Sequence, residues 1–324
     1  MVALLEVRNL KTYFYTLRGV VRAVDGVSFT LEKGETIGIV GESGSGKSTL
    51  GFSLLRLVPP PGRITDGSII LDGVDILKLS EERMRKEIRW KRISMVFQSA
   101  LNALNPVKRI GDQIADAIMA HEDVSKKEAL ERAAELLKAV GIDPRRISNY
   151  PHEFSGGMKQ RAVIAMALAL EPDVVIADEP TTALDVVVQA QILNLFKKLR
   201  NEKKMSIILI THDLSLVAEI ADKAAIMYAG RIVEIGPSDR IYTAPAHPYT
   251  KGLMASIPRI GGSKELSWIP GSPPDLRSPP PGCRFHPRCP YAMDICRRED
   301  PPYFTIDRDQ LSACWLHKEG VGKI

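Results

Sequence analysis

The sequence predicts an α/β fold with a parallel-sheet core, an antiparallel β subdomain, a helical insertion and a loop-rich C-terminal domain. Three observations predict it. Short β-branched runs separated by glycine-containing turns occupy residues 1–98. Beyond the helical block that follows, apolar strands alternate with helices, which is the order of a parallel sheet. After residue 237 the composition turns to loop, and ten of the 22 prolines lie between residues 270 and 302.

Taken in order, strands are expected at residues 4–7, 27–31, 36–40, 67–71 and 93–97, with a glycine loop at 41–48 and a helix at 49–57. From Asn105 the pattern becomes helical. Ser125-Lys126-Lys127-Glu128 has the spacing of a capping box, and Leu130, Ala133, Leu137 and Val140 then recur at helical intervals. Strands resume at 174–177 and 206–210, each linked to helices. The expected division is a main domain at 1–237, whose helical subdomain spans about 99–165, and a C-terminal extension at 238–324.

With 324 residues, 44% of them hydrophobic, the chain has room for one large domain plus an appendage. Its charge of +5, from 44 basic and 39 acidic residues, is spread without basic runs, so no nucleic-acid partner is expected. The longest apolar stretch, residues 162–170, is about half of what a membrane-spanning helix needs. The first residues, MVALLEVRNL, lack the design of a secretory signal, so a cytoplasmic location and reduced cysteines are expected.

Gly41-Glu42-Ser43-Gly44-Ser45-Gly46-Lys47-Ser48 fits the P-loop pattern G-x-x-x-x-G-K-[ST] and stands between an apolar strand and a helix, as that motif requires. Glycines let successive N–H groups turn toward phosphate, and the helix N-terminus adds its positive dipole end. The candidate nucleotide-contacting set is Gly41, Ser43, Gly44, Ser45, Gly46, Lys47, Ser48 and Thr49, with Lys47 reaching the β- and γ-phosphates and Ser48 ligating Mg²⁺. The implied core is that of a P-loop NTPase (RecA-like). A second apolar strand ends in Asp178-Glu179. Asp178 is the candidate holder of the Mg²⁺ hydration shell and Glu179 the candidate polariser of the attacking water; two solvated acids at a strand end is the plainer alternative.

Phe154-Ser155-Gly156-Gly157-Met158-Lys159-Gln160 precedes a helix beginning at Arg161. Here the chain resembles the ATPase subunits of ABC transporters, whose signature reads LSGGQ; this sequence departs from it outside the Ser-Gly-Gly. The resemblance implies that Ser155, Gly156 and Gly157 close on the γ-phosphate held by an opposite subunit in a head-to-tail pair. It also gives roles to Gln98 (a Q-loop residue touching Mg²⁺ or water), to Ala183-Leu184-Asp185 (a loop crossing the dimer seam) and to His212 (a switch histidine contacting the γ-phosphate). Phe14 aligns with the aromatic on which adenine stacks, with Tyr13 and Tyr15 as alternatives because strand register decides which ring points inward.

Residues 242–257, YTAPAHPYTKGLMASI, and the segment 281–302 resemble the C-terminal extension of oligopeptide/dipeptide importer ATPases. This implies two membrane permease subunits, a second and commonly paralogous ATPase, an external solute-binding protein, and a peripheral position on the cytoplasmic face of the cell membrane. Peptides are the implied solute, with oligosaccharides carried by some such systems. Cys283, Cys289, Cys296 and Cys314 are spaced C-x5-C-x6-C-x17-C, neither a zinc knuckle nor a ferredoxin run. The resemblance implies a [4Fe-4S] cluster on these four residues; zinc, with help from His286 or His317, disulfides and unligated thiols are the alternatives. The tail is expected to be structural or to serve docking, without a part in hydrolysis. Two other functions fit the sequence less well: a soluble ABC ATPase of nucleic-acid repair or ribosome recycling, which would have a second cassette or a long coiled coil, and a redox protein, which would leave the ATPase motifs unexplained.

Overall fold

The computed structural model describes residues 3–98, 103–182, 184–256 and 268–318. The chain opens with a long hairpin, β1 (Leu5–Thr16) and β2 (Gly19–Leu31), followed by β3 (Thr36–Val40), which leads through the glycine loop into α1 (Lys47–Leu54). Next come β4 (Gly62–Leu71), β5 (Val74–Asp75), one turn of helix α2 (Glu81–Arg83) and β6 (Ile93–Val96). The helical stretch holds α3 (Ile110–Met119), α4 (Lys126–Ala139) and α5 (Gly156–Ala167). Alternation returns with β7 (Val174–Asp178), α6 (Val186–Lys203), β8 (Ser206–Thr211), α7 (Leu214–Ile220), β9 (Lys223–Tyr228) and β10 (Arg231–Pro237). The C-terminal stretch carries α8 (Ser238–Thr243), α9 (Pro248–Ala255) and a small hairpin, β11 (Phe304–Asp307) and β12 (Gln310–Ser312).

Two compact units result, one of Met1–Leu31, Glu35–Leu77 and Ile210–Ile324, the other of Glu32–Gly34 and Lys78–Leu209. In the first, β2-β1-β4-β5 form an antiparallel sheet, and β11-β12-β10-β9-β3 are neighbours in that order, with β3 parallel to β9. All five residues of β3 are buried, as expected for a parallel strand covered on both faces. Gly38 lets β3 approach α7 closely: a Cβ there would stand 2.4 Å from Cγ1 of Val217, itself fully buried. The C-terminal stretch is part of this unit, and β12 pairs with β10 through Glu234↔Ser312 and Ile235↔Leu311.

In the second unit, β6 and β7 run parallel with every residue buried. Ser125 caps α4, its side chain accepting from the Glu128 N–H at 3.2 Å. The buried stripe of that helix is Ala129, Ala133 and Leu137, one position ahead of the expected start at Leu130 because i, i+4 spacing sets the inward face. Among the described residues no helix is long and apolar enough to cross a membrane.

The strands expected at 4–7 and 27–31 are the inner ends of a much longer hairpin, in which Phe14↔Val21 and Thr16↔Gly19 also pair. Three register shifts between Val7 and Phe14 interrupt its ladder, so the alternation breaks along the middle of β1. The helix expected at 49–57 begins two residues earlier, with Gly46 as its N-cap.

One buried histidine also belongs to this packing. His247 is fully buried at the start of α9, where Nδ1 accepts from the Tyr249 N–H at 3.0 Å, and burial, aided by His317, pushes its pKa down to about 3. Because the unfolded chain binds this proton and the folded chain does not, stability is fully present above the unfolded value of 6.5 and falls as pH drops from there toward 3. His247→Asn, which keeps a capping acceptor, should flatten that part of the pH dependence of thermal unfolding. Gly38→Ala, forcing a methyl against Val217, should cost about 1–3 kcal/mol in chemical denaturation of the nucleotide-free protein.

Candidate functional site

The phosphate loop lies in the first unit. Gly44 and Gly46 sit at φ of 78° and 102°, a region open to glycine. A Cβ on Gly41 would come within 2.0 Å of the Met227 carbonyl oxygen, and one on Gly46 within 2.0 Å of that of Ala23. Lys47 is buried, and its Nζ donates to the carbonyl oxygens of Gly41 at 2.7 Å and Glu42 at 2.9 Å. Ser43 and Gly44 are exposed, while Ser48 and Thr49 are half-buried at the first turn of α1. Ser45 Oγ is buried without a hydrogen-bond partner, an orphaned polar atom inside the glycine loop. This arrangement suits an anion and, through the Ser48 hydroxyl, a hard cation.

The three aromatic candidates separate. Tyr13 directs its hydroxyl to Asp25 Oδ1 at 2.6 Å, and burial together with that carboxylate pushes its pKa up to about 12. Phe14 is half-buried against Gly62, whose added Cβ would meet the ring at 2.7 Å. Tyr15 is 49% exposed. His212 is exposed just after β8, in the first unit.

The Asp178-Glu179 pair lies in the second unit. Asp178 ends β7 with 1% exposure. Glu179 follows in the left-handed region at φ 45°, a strained setting for a glutamate. Its Oε2 accepts from Gln98 Nε2 at 3.0 Å and from the Thr182 hydroxyl at 2.9 Å. The structure therefore joins two residues 81 positions apart, both singled out by sequence, and adds Thr182, which sequence reasoning missed.

Ser155 is the N-cap of α5, its side chain accepting from the Met158 N–H at 3.4 Å. Gly157 packs against α6, where a Cβ would stand 2.7 Å from Val188 Cγ1, and Gly156 lies near Leu184. Asp185 caps α6 by accepting from the Val188 N–H at 2.9 Å. Ala183 lies outside the described residues.

The four cysteines are free and line one small cavity in the first unit, together with Phe285, Trp315 and the two histidines His247 and His286. Burial, reinforced by neighbouring thiols, pushes Cys283 up to about 11 and Cys314 up to about 12, and raises Cys289. Backbone N–H groups two residues onward bond three of these sulfurs: Phe285 to Cys283, Tyr291 to Cys289 and Leu316 to Cys314. Among the described residues, however, no three His, Cys, Asp or Glu side chains are gathered closely enough to ligate one metal ion. The four thiols thus share one cavity, but the [4Fe-4S] ligation that the resemblance implied is not formed among the described residues.

Sequence reasoning also missed the residues that tie the tail to the phosphate loop. Arg288 Nη1 and Nη2 donate to the two carboxylate oxygens of Glu42 at 2.7 and 3.0 Å, and the Glu42 N–H donates to the Tyr249 hydroxyl at 3.0 Å. Arg284 donates to Asp25. The available signal was faint: an Arg-x3-Arg pair enclosed by Cys283 and Cys289.

The ABC transporter family profile matches residues 24–182, and that of the oligopeptide/dipeptide transporter C-terminal region matches residues 233–296. The chain is 51% identical over 323 residues to the dipeptide transport ATP-binding protein DppD of Bacillus subtilis, covering 98% of this chain and 96% of the relative. It is 48% identical to the oligopeptide transport ATP-binding protein OppD of Salmonella typhimurium, over 96% of this chain and 93% of that one. Among solved structures, the dimeric post-hydrolysis state of the ATP-binding cassette MJ0796 with ADP and phosphate matches at a TM-score of 0.63 and 28% identity, over 72% of this chain and 98% of that chain. Similarity that runs through both the motor motifs and the cysteine-bearing tail places this chain in the family of ABC transporter ATP-binding proteins, in its oligopeptide/dipeptide branch.

Proposed function

We propose that this chain is the ATP-hydrolysing subunit that energises an ABC importer for peptides. The observation that carries the reading is the setting of Glu179, directly after buried Asp178 and held at Oε2 by Gln98 and Thr182. A carboxylate fixed in this way can polarise a water molecule without first paying to reorient. Lys47 and the loop amides bind the phosphates. Ser48, Asp178 and Gln98 are the residues to hold Mg²⁺, which when bound neutralises charge between the phosphates. His212 contacts the γ-phosphate, and Phe14 stacks on adenine, since Tyr13 is committed to Asp25 and Tyr15 is largely exposed.

Ser155, Gly156 and Gly157, at the N-terminus of α5, together with Asp185 serve the nucleotide of an opposite ATPase subunit. The motor is residues 1–237 and the extension 238–324. The partners are two permease subunits, a second ATPase chain and, indirectly, a solute-binding protein, with the complex held at the cytoplasmic face of the membrane. Names of the relatives favour di- and oligopeptides over oligosaccharides as solute. Similarity extending into the tail disfavours a nucleic-acid repair ATPase.

A [4Fe-4S] cluster on Cys283, Cys289, Cys296 and Cys314 is part of the same proposal. It is supported by the convergence of four free thiols on one cavity and by the three backbone N–H groups aimed at sulfur, since burial disfavours thiolates that a cationic centre would stabilise.

Glu179→Gln should retain ATP binding, measured with a fluorescent nucleotide, while lowering hydrolysis by about 10²-fold or more; undiminished turnover would remove Glu179 from the reaction. Protein purified without oxygen should be brown and contain about four irons and four sulfides per chain, whereas colourless protein with one zinc would replace the cluster with the simpler tetrathiolate site.

A further inference from the structure

The second residue of the phosphate loop, Glu42, is held at all three of its polar groups, and two of the three holders belong to the C-terminal extension. Its carboxylate receives both arms of the Arg288 guanidinium, at 2.7 and 3.0 Å. Its N–H donates to the Tyr249 hydroxyl at 3.0 Å, and its carbonyl accepts from Lys47 Nζ at 2.9 Å. Arg288 is itself fixed. Its side chain is 6% exposed, its Nε donates to the Pro270 carbonyl at 2.8 Å, and its guanidinium lies over the Tyr228 ring at 5.7 Å. Tyr249 is fully buried in an aromatic cluster with Tyr228 and Phe285, the ring centroids 4.6 and 5.4 Å away.

These contacts are more than a tail resting on a motor. A bidentate guanidinium–carboxylate pair fixes the orientation of both groups. Here it fixes the residue from which the loop turns toward phosphate, and the Ser45 N–H bonds back to that residue's carbonyl at 3.2 Å. The Glu42 N–H is directed to the tail, so the tail decides which way the loop's first peptide faces. Arg288 directly precedes Cys289, so the cysteine-bearing turn determines where the guanidinium stands.

We propose that Arg288 is a positioning residue for the phosphate loop, and that through it the C-terminal extension sets the affinity of this ATPase for nucleotide. The inference rests on the reading of residues 41–48 as the ATP-binding loop. A loop held in its binding conformation before nucleotide arrives loses less freedom on binding. Releasing Glu42 therefore weakens ATP binding and leaves the hydrolytic residues untouched.

Arg288→Lys keeps the positive charge and loses the fork, while Glu42→Gln removes the same ion pair from the half-exposed side without disturbing the buried arginine's packing. In the full-length chain each should raise the KM for ATP and the dissociation constant of a fluorescent ATP analogue by about tenfold, with kcat within about twofold of the unchanged protein. The double variant should add little to either, because both changes break one interaction. Lys47→Ala identifies which reading fails. Lost nucleotide binding in Lys47→Ala beside unchanged KM in both Arg288→Lys and Glu42→Gln would overturn the inference alone. Full binding in Lys47→Ala would overturn the reading of the loop and the inference with it. A fall in kcat at constant KM would also overturn it, since that would place Arg288 in the chemical step or in general stability.

Discussion

The phosphate loop is confined between two backbone carbonyls, and much of the first unit is arranged around that confinement. Met227 presents its oxygen where a Cβ of Gly41 would be, and Ala23 presents its oxygen where a Cβ of Gly46 would be, each at 2.0 Å. The same two segments are joined to the loop and to each other by backbone hydrogen bonds: the Gly230 N–H donates to the Ser45 carbonyl at 2.9 Å, and the Asp25 N–H donates to the Gly230 carbonyl at 2.8 Å. Any side chain at either glycine would have to displace main chain, which is far costlier than moving a flexible side chain. The glycines thus serve close approach as much as phosphate access.

Charged groups are also buried in the first unit, and the C-terminal extension supplies several of their partners. Asp25 is buried and answers to Tyr13, Arg231 and Arg284, whose combined effect holds its carboxyl below the usual range despite the burial that opposes ionisation. Glu234, fully buried in β10, accepts from the N–H groups of Ala246 and His247 and from Gln310 Nε2. Removing one partner from such a set strands a charge in the interior, at a cost of about 3–5 kcal/mol. The tail is therefore an integral part of the first unit rather than an appendage that could be trimmed from it.

The carboxylate pair of the second unit follows a different rule. β7 buries every residue through Asp178, and the chain then turns at once through a left-handed Glu179 into Pro180. A non-glycine residue in that region is retained where its surroundings over-determine it, and here Gln98 and Thr182 grip the side chain from two directions.

The sequence alone determined the parallel strands, the two phosphate-type helix starts and the catalytic candidates, because each is written in a short contiguous pattern. A glycine loop before a helix, an apolar run ending in acids and a Ser-Gly-Gly cap are all local, and local backbone chemistry fixes what they form. Only the tertiary structure decided that Gln98 meets Glu179, that four cysteines spread over 32 residues share one cavity, and that Arg288 holds Glu42 from 246 positions away. It also decided which of Tyr13, Phe14 and Tyr15 is engaged elsewhere, since three register shifts in the first hairpin erase the alternation from which facing could be read. The physical reason is the same in each case. A hydrogen bond or an ion pair depends on where two side chains stand in space, and one-dimensional spacing carries no distance between segments that only the folded packing brings together.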